Sequence, residues 1–209
     1  GIYCTAHPHK IRFHIDRHQQ IFAGKTYNRM AAMFYCEPYM NSEKPTLYVT
    51  KAVKNPRVYE AVKSRVMESG ASTVVVGSTK GKSAIELFEA LGGEASVVSV
   101  TEFTYSDDVK KTMKKRKIAA VEKADLPIQD NREMRETLLM FGPGVKAALE
   151  VAAIAVNQGL AEGDFVAVAG SGKSLDTAIL VSTEHPDKEL ISDPLKQMLV
   201  KEVIALKGR

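Results

Sequence analysis

Two Gly-Lys-Ser loops, each leaving a β-branched apolar run, constrain this chain more than any other feature. The first run is Thr73-Val74-Val75-Val76, followed by Gly77-Ser78-Thr79-Lys80-Gly81-Lys82-Ser83 and then the helical pattern Ala84-Ile85-Glu86-Leu87-Phe88. The second is Phe165-Val166-Ala167-Val168-Ala169, followed by Gly170-Ser171-Gly172-Lys173-Ser174. A strand feeding a loop rich in Gly, Ser and Thr can present several backbone N–H groups and hydroxyls to one anion. A helix that follows adds the partial positive charge of its N-terminus. Phosphate is the ligand such loops usually hold.

Neither loop satisfies the spacing of a nucleotide-hydrolase P-loop, which needs four residues between its first glycine and the Gly-Lys pair. Only three separate Gly77 from Gly81, and in the second loop the required glycine position is Ala167. No apolar run ends in an aspartate placed for Mg²⁺. A P-loop-like hydrolase therefore ranks last among the functions considered. The first loop predicts a phosphate contact through Ser78, Thr79, Gly81, Lys82 and Ser83. Gly170, Ser171, Gly172, Lys173 and Asp176 are the expected second lip, because both loops should leave one sheet at the same end.

The periodicity from residue 46 onward switches repeatedly between strand and helix. Strands are predicted at 46–50, 72–77, 95–101, 118–121, 165–169 and 177–182, with a last strand or extended arm at 199–206. Helices are predicted from Pro56 to Gly70, at 82–91, from Ser106 to about Arg116, at 130–140 and at 145–159. Alternation of this kind gives a three-layer α/β/α sandwich with a mostly parallel sheet. The loop between the strands at 165–169 and 177–182 is too short for a helical crossover. An antiparallel strand is therefore expected near the C-terminal end. The helix at 145–159 is the most apolar, with Lys146, Glu150 and Asn157 as one narrow polar stripe. Its remaining faces, Leu149 included, are expected to be covered.

Residues 1–45 lack this rhythm and read as an N-terminal arm or extension to a domain at 46–209. They hold four of the five histidines (His7, His9, His14, His18) and both cysteines, Cys4 and Cys36. The paired spacing usual for zinc is absent, so no metal is assigned. Two cysteines make no disulfide framework. No stretch approaches the roughly 20 apolar residues that span a bilayer. The expectation is a cytoplasmic protein. The net charge of +4 is small, and the basic run 110–117 falls at a helix C-terminus, where cations are favoured. Neither nucleic acid nor membrane is an expected partner, whereas a homo-oligomer is.

In their order, these motifs resemble a known family. The strand, the Ser78-Thr79-x-Gly81-x-Ser83 loop, its helix and the strand at 95–101 are similar to the C-terminal α/β domain of pyruvate kinases. The likeness resumes over 149–168. Stand-alone proteins built on that domain are also similar through Met140-Phe141-Gly142-Pro143-Gly144-Val145-Lys146, Glu150-Val151-Ala152, the loop at 170–178 and Glu202-Val203-Ile204-Ala205. The resemblance covers about 46–209. It implies a regulatory type of domain whose Ser/Thr-rich loop holds a phosphate of a sugar-bisphosphate effector, here on Ser78, Thr79, Gly81, Lys82 and Ser83. It also implies that the catalytic barrel of pyruvate kinase has no counterpart in this chain. For some stand-alone relatives it implies flavin mononucleotide (FMN), with the phosphate on the same loop and the ring over 170–176. Between Thr101 and Asn131 this sequence lacks the His-containing stretches of those relatives. A binding domain for a phosphorylated small molecule, non-catalytic or of unknown activity, is the leading expectation, and a flavin protein, redox-active or not, the alternative.

Overall fold

The computed structural model describes residues 46–49, 56–170 and 174–207, together with the backbone of two short strands near the N-terminus. By contacts the chain divides into two units, Gly1–Glu43 and Lys44–Arg209. In the first, β1 (Cys4–His7) and β2 (Lys10–Phe13) pair antiparallel with each other alone, Cys4 opposite Phe13 and His7 opposite Lys10. The sequence pattern predicts no strand there. The side chains of its cysteine–histidine set lie outside the described residues.

The second unit alternates as its periodicity predicts. Its elements are β3 (Leu47–Val49), α1 (Pro56–Ser69), β4 (Thr73–Gly77), α2 (Lys82–Leu91), β5 (Ser96–Val100), α3 (Asp107–Lys115) and β6 (Ala119–Val121). They continue with α4 (Pro127–Asp130), α5 (Arg132–Leu139), α6 (Pro143–Asn157), β7 (Asp164–Ala169), β8 (Thr177–Ser182) and β9 (Leu199–Lys207). Two short 3₁₀ turns, Lys188–Leu190 and Pro194–Lys196, lie between β8 and β9. The seven strands run in the order β3-β9-β8-β7-β4-β5-β6. Every pairing is parallel except the two made by β8, the one antiparallel strand of this sheet. This is a three-layer α/β/α sandwich.

Alternation along the strands divides the core into two layers. Val74 and Val76 of β4 join Val58 and Val62 of α1 and Leu87 and Leu91 of α2 on one face. Val75, between them, points to the other face and packs with Ala148, Ala152 and Ala155 of α6. Central strands buried on both faces read as continuous Val and Ala, which is the composition seen.

Two local expectations need correction, for Glu150 and Leu149. The helix expected over 130–140 forms as α5 and is preceded by the short α4: Asn131 separates them and caps α5, its side chain accepting from the Met134 N–H at 3.1 Å. Asn competes well for such a cap, so the backbone restarts there. Glu150 does not belong to a solvated stripe, being only 3% exposed. Its carboxylate accepts from the N–H of Ile128 at 2.8 Å and of Gln129 at 3.0 Å, the first turn of α4. Lys146 is 3.5 Å from the same carboxylate and donates to Gln129 Oε1 at 2.7 Å. Leu149, expected to be covered, is half-buried at the edge of the second core layer.

Candidate functional site

The path of the chain through the sheet fixes where a site can form. From β4 it passes through α2 to β5 and through α3 to β6, moving toward one edge. It then returns through α4, α5 and α6 to β7, on the opposite flank of β4. The strand order therefore reverses between β4 and β7, and open α/β sheets bind ligands outside the carboxyl ends of the strands at such a point. Both glycine loops start there. The strands are parallel neighbours, Val76 opposite Val168, and a Cβ on Gly77 would stand 3.7 Å from the Ala169 Cβ and 3.2 Å from Val151 of α6. Glycine at 77 lets α6 close over the seam.

The residues expected in the first loop divide into scaffold and surface. Ser78 is buried: its N–H continues the sheet to Val100 O at 3.1 Å, and its carbonyl accepts from the Gly81 N–H at 3.3 Å. Gly81 is also buried, at φ +76°, where side chains are strained. A Cβ there would lie 2.5 Å from Val109 Cγ1 and 2.7 Å from Met113 Cε, so α3 packs directly on it. Thr79, Lys80 and Lys82 form the exposed crest, and Ser83 is half-buried. α2 has Gly81 as its N-cap and no side-chain cap. Its first N–H with a backbone acceptor is that of Ile85, on Gly81 O at 3.2 Å. The N–H groups of Lys82, Ser83 and Ala84 precede that bond, as at any helix start.

The second loop is different. Gly170 folds tightly over Ser174, whose carbonyl carbon would be 2.8 Å from a Cβ at 170. Leu175 and Asp176 are buried, 5% and 2% exposed. The Asp176 Oδ1 accepts from Thr177 Oγ1 at 2.9 Å and faces Gly144 in the first turn of α6. A carboxylate there complements the positive end of that helix. Ser171, Gly172 and Lys173 lie outside the described residues.

Tyr105, which carried no signal in the sequence, lies under the first loop. It is 3% exposed, its hydroxyl 2.7 Å from Ser99 Oγ and donating to Ser78 O at 3.0 Å. Burial pushes its phenol above the ordinary value of 10.0, opposed by the Ser99 hydrogen bond and assisted by the Glu122 charge. Its N–H donates to Glu122 Oε1 at 2.5 Å, and Lys110 pairs with the other oxygen at 3.1 Å. That N–H above all, with Lys110 assisting, holds the Glu122 carboxyl below its usual range.

A shallow recess of about 420 Å³ lined by Phe88, Lys115, Arg116 and Lys117 lies elsewhere. It adjoins a second, bounded by Ser72 and Ser96, which marks the amino ends of β4 and β5. Arg116 is ion-paired with Glu89 at 2.5 Å, so the recess is neither at the strand-order reversal nor lined by free charge alone. Among the described residues no cluster of His, Cys, Asp and Glu could hold a metal, and no helix is long and apolar enough to cross a membrane. The described part of the second loop offers no wall for a flavin ring, since Leu175 and Asp176 are turned inward.

Fold and site together define an α/β/α domain with an exposed, lysine-bearing βα loop at the reversal of its strand order. No family model and no curated protein matches the sequence. Among solved structures, the chain has a weak likeness of fold to Cryptosporidium parvum pyruvate kinase in complex with ADP, at 16% identity and a TM-score of 0.35. The likeness covers 63% of this chain and 24% of that one, so only a minor part of that protein's length is represented.

Proposed function

We propose that the unit at 44–209 binds a phosphorylated small molecule through the first loop, as a binding domain rather than a catalytic one. One observation carries the reading: Thr79, Lys80 and Lys82 are exposed at a helix start without a side-chain cap, at the carboxyl end of β4 where the strand order reverses. Unpaired N–H groups, the α2 dipole and two lysines all favour a compact anion there.

Native mass spectrometry of the purified full chain, followed by calorimetric titration with phosphate monoesters, tests this. A bound phosphorylated metabolite, and a roughly tenfold loss of affinity in Lys82→Ala, the effect of one charge-assisted hydrogen bond, are the expected results. Affinity unchanged in both Lys80→Ala and Lys82→Ala would move the site away from this loop. A released flavin absorbing near 450 nm (the approximate free-flavin band) would replace the reading with the FMN alternative.

A further inference from the structure

The first loop is held from below by a short relay whose direction follows from proton counting. A backbone carbonyl can only accept, so the single phenolic proton of Tyr105 goes to Ser78 O. The 2.7 Å contact with Ser99 Oγ must then be donated by the serine. The order is Ser99 O–H to Tyr105 O–H to Ser78 C=O.

Peptide planarity carries this to the surface. In a trans peptide the carbonyl of one residue and the N–H of the next point in opposite directions. Drawing Ser78 O toward the buried phenol turns the Thr79 N–H outward. Thr101 Oγ1 does the same, at a longer 3.4 Å, to Thr79 O, which turns the Lys80 N–H outward. Neither of these N–H groups has a hydrogen-bond partner among the described residues. At these two peptides, 78–79 and 79–80, the main chain therefore turns its N–H outward and its carbonyl inward. Tyr105 is itself clamped, by Glu122 on its N–H and by its ring edge, 3.3 Å from where a Cβ on Gly81 would stand.

We infer that Tyr105 is the positioning residue of this loop: its hydroxyl fixes the 78–79 peptide with N–H outward, and thereby makes the loop select the dianion of a phosphate monoester over the monoanion. The second half rests on the phosphate reading above. A dianion has only acceptor oxygens, which match outward N–H groups. A monoanion carries a P–OH that needs an acceptor, and the two main-chain carbonyls closest to hand are turned away.

The test compares the full-length wild type with Tyr105→Phe, which keeps the ring and removes the hydroxyl. Amide NMR reads the orientation without any ligand: the Thr79 cross-peak should shift and the Gly81 N–H exchange faster in the variant. Glycerol 3-phosphate, titrated at pH 5 and 7.5 across a second ionisation near pH 6, reads the selectivity. Wild-type affinity should rise about tenfold with pH, as expected if the monoanion binds poorly, and Tyr105→Phe should flatten that rise. Unaltered Thr79 and Gly81 signals in Tyr105→Phe overturn the positioning role. A flat pH profile in a wild type that binds overturns the selectivity. If the wild type binds at neither pH, the phosphate reading and the selectivity built on it fail together, and the amide signals still decide the positioning role. Should Tyr105→Phe fail to fold, Ser99→Ala removes the donor to the phenol and should move the same two amides.

Discussion

Asp176 places one carboxylate oxygen 3.0 Å from the point where a Cβ on Gly144 would stand, and Thr177 Cβ is 2.9 Å from that point. The first turn of α6 and the start of β8 thus touch with no space for a methyl group. Gly144→Ala should destabilise the protein by about 2 kcal/mol, within the range of overpacked sites. Urea unfolding monitored by circular dichroism measures this, and a substitution without effect would mean that the two elements part easily.

The buried carboxylate of Glu150 joins α6 to α4 through two backbone N–H groups. Glu150→Gln keeps the shape but replaces one acceptor with a donor facing an N–H. The expected cost is about 2–3 kcal/mol, that of a lost hydrogen bond to a charged group with its partner left unsatisfied. The same unfolding measurement should show Leu149→Ala, half-buried nearby, costing less than the 2–5 kcal/mol typical of a fully buried leucine.

Gly81→Ala combines a left-handed backbone with a Cβ driven against Val109. It should lower stability by about 2 kcal/mol, the sum of backbone strain and overpacking. It should also weaken phosphate binding, because α3 can relieve the contact only by moving the loop. Parallel unfolding and titration experiments separate the two effects. Lost stability with full affinity would show that the crest adapts independently of α3.

Two carboxylates give stability a defined acid dependence. Glu122 is held below its ordinary value of 4.5 by the Tyr105 N–H and then Lys110, and Asp164 below 3.8 by Lys201 and then Ser182. A depressed folded value means that the stabilisation is present above the unfolded value and is lost as pH falls through the folded one. Stability should therefore be level from neutrality to about pH 5 with respect to these groups, and decline below about pH 4. Glu122→Gln should remove part of that decline, read from urea midpoints at pH 7 and 3.

Much of this was legible in the residues themselves. β-branched runs with glycine at their ends marked β4 and β7, and the short connection after β7 identified β8 as antiparallel. Of the first-loop residues named from composition, Thr79 and Lys82 are exposed and Ser83 is half-buried, whereas Ser78 and Gly81 are buried and the exposed Lys80 was not named. The supports were not legible. Tyr105 meets Ser78 across 27 positions and Glu150 meets Ile128 across 22, and no periodicity encodes a contact between a side chain and a distant backbone group. Glu150 was misplaced because a helical wheel counts any carboxylate as polar, whereas a carboxylate supplied with N–H donors can be buried. The short α4 was not legible, because Asp130 and Asn131 are both good caps and only one helix start was marked there.

The edge strand β3 pairs only with β9, Leu47 beside Ala205 and Val49 beside Lys207. During synthesis β3 is among the first strands of this unit to emerge, yet its sole sheet partner is the last. Until then its backbone donors and acceptors have no strand to meet, while the pairing of β4 with β5 can already form. Chain closure between such distant segments is slow compared with local pairing. The strand that begins the unit is thus the last to be secured. Over that interval the nascent chain carries an open sheet edge, which is where a premature contact with another chain would form.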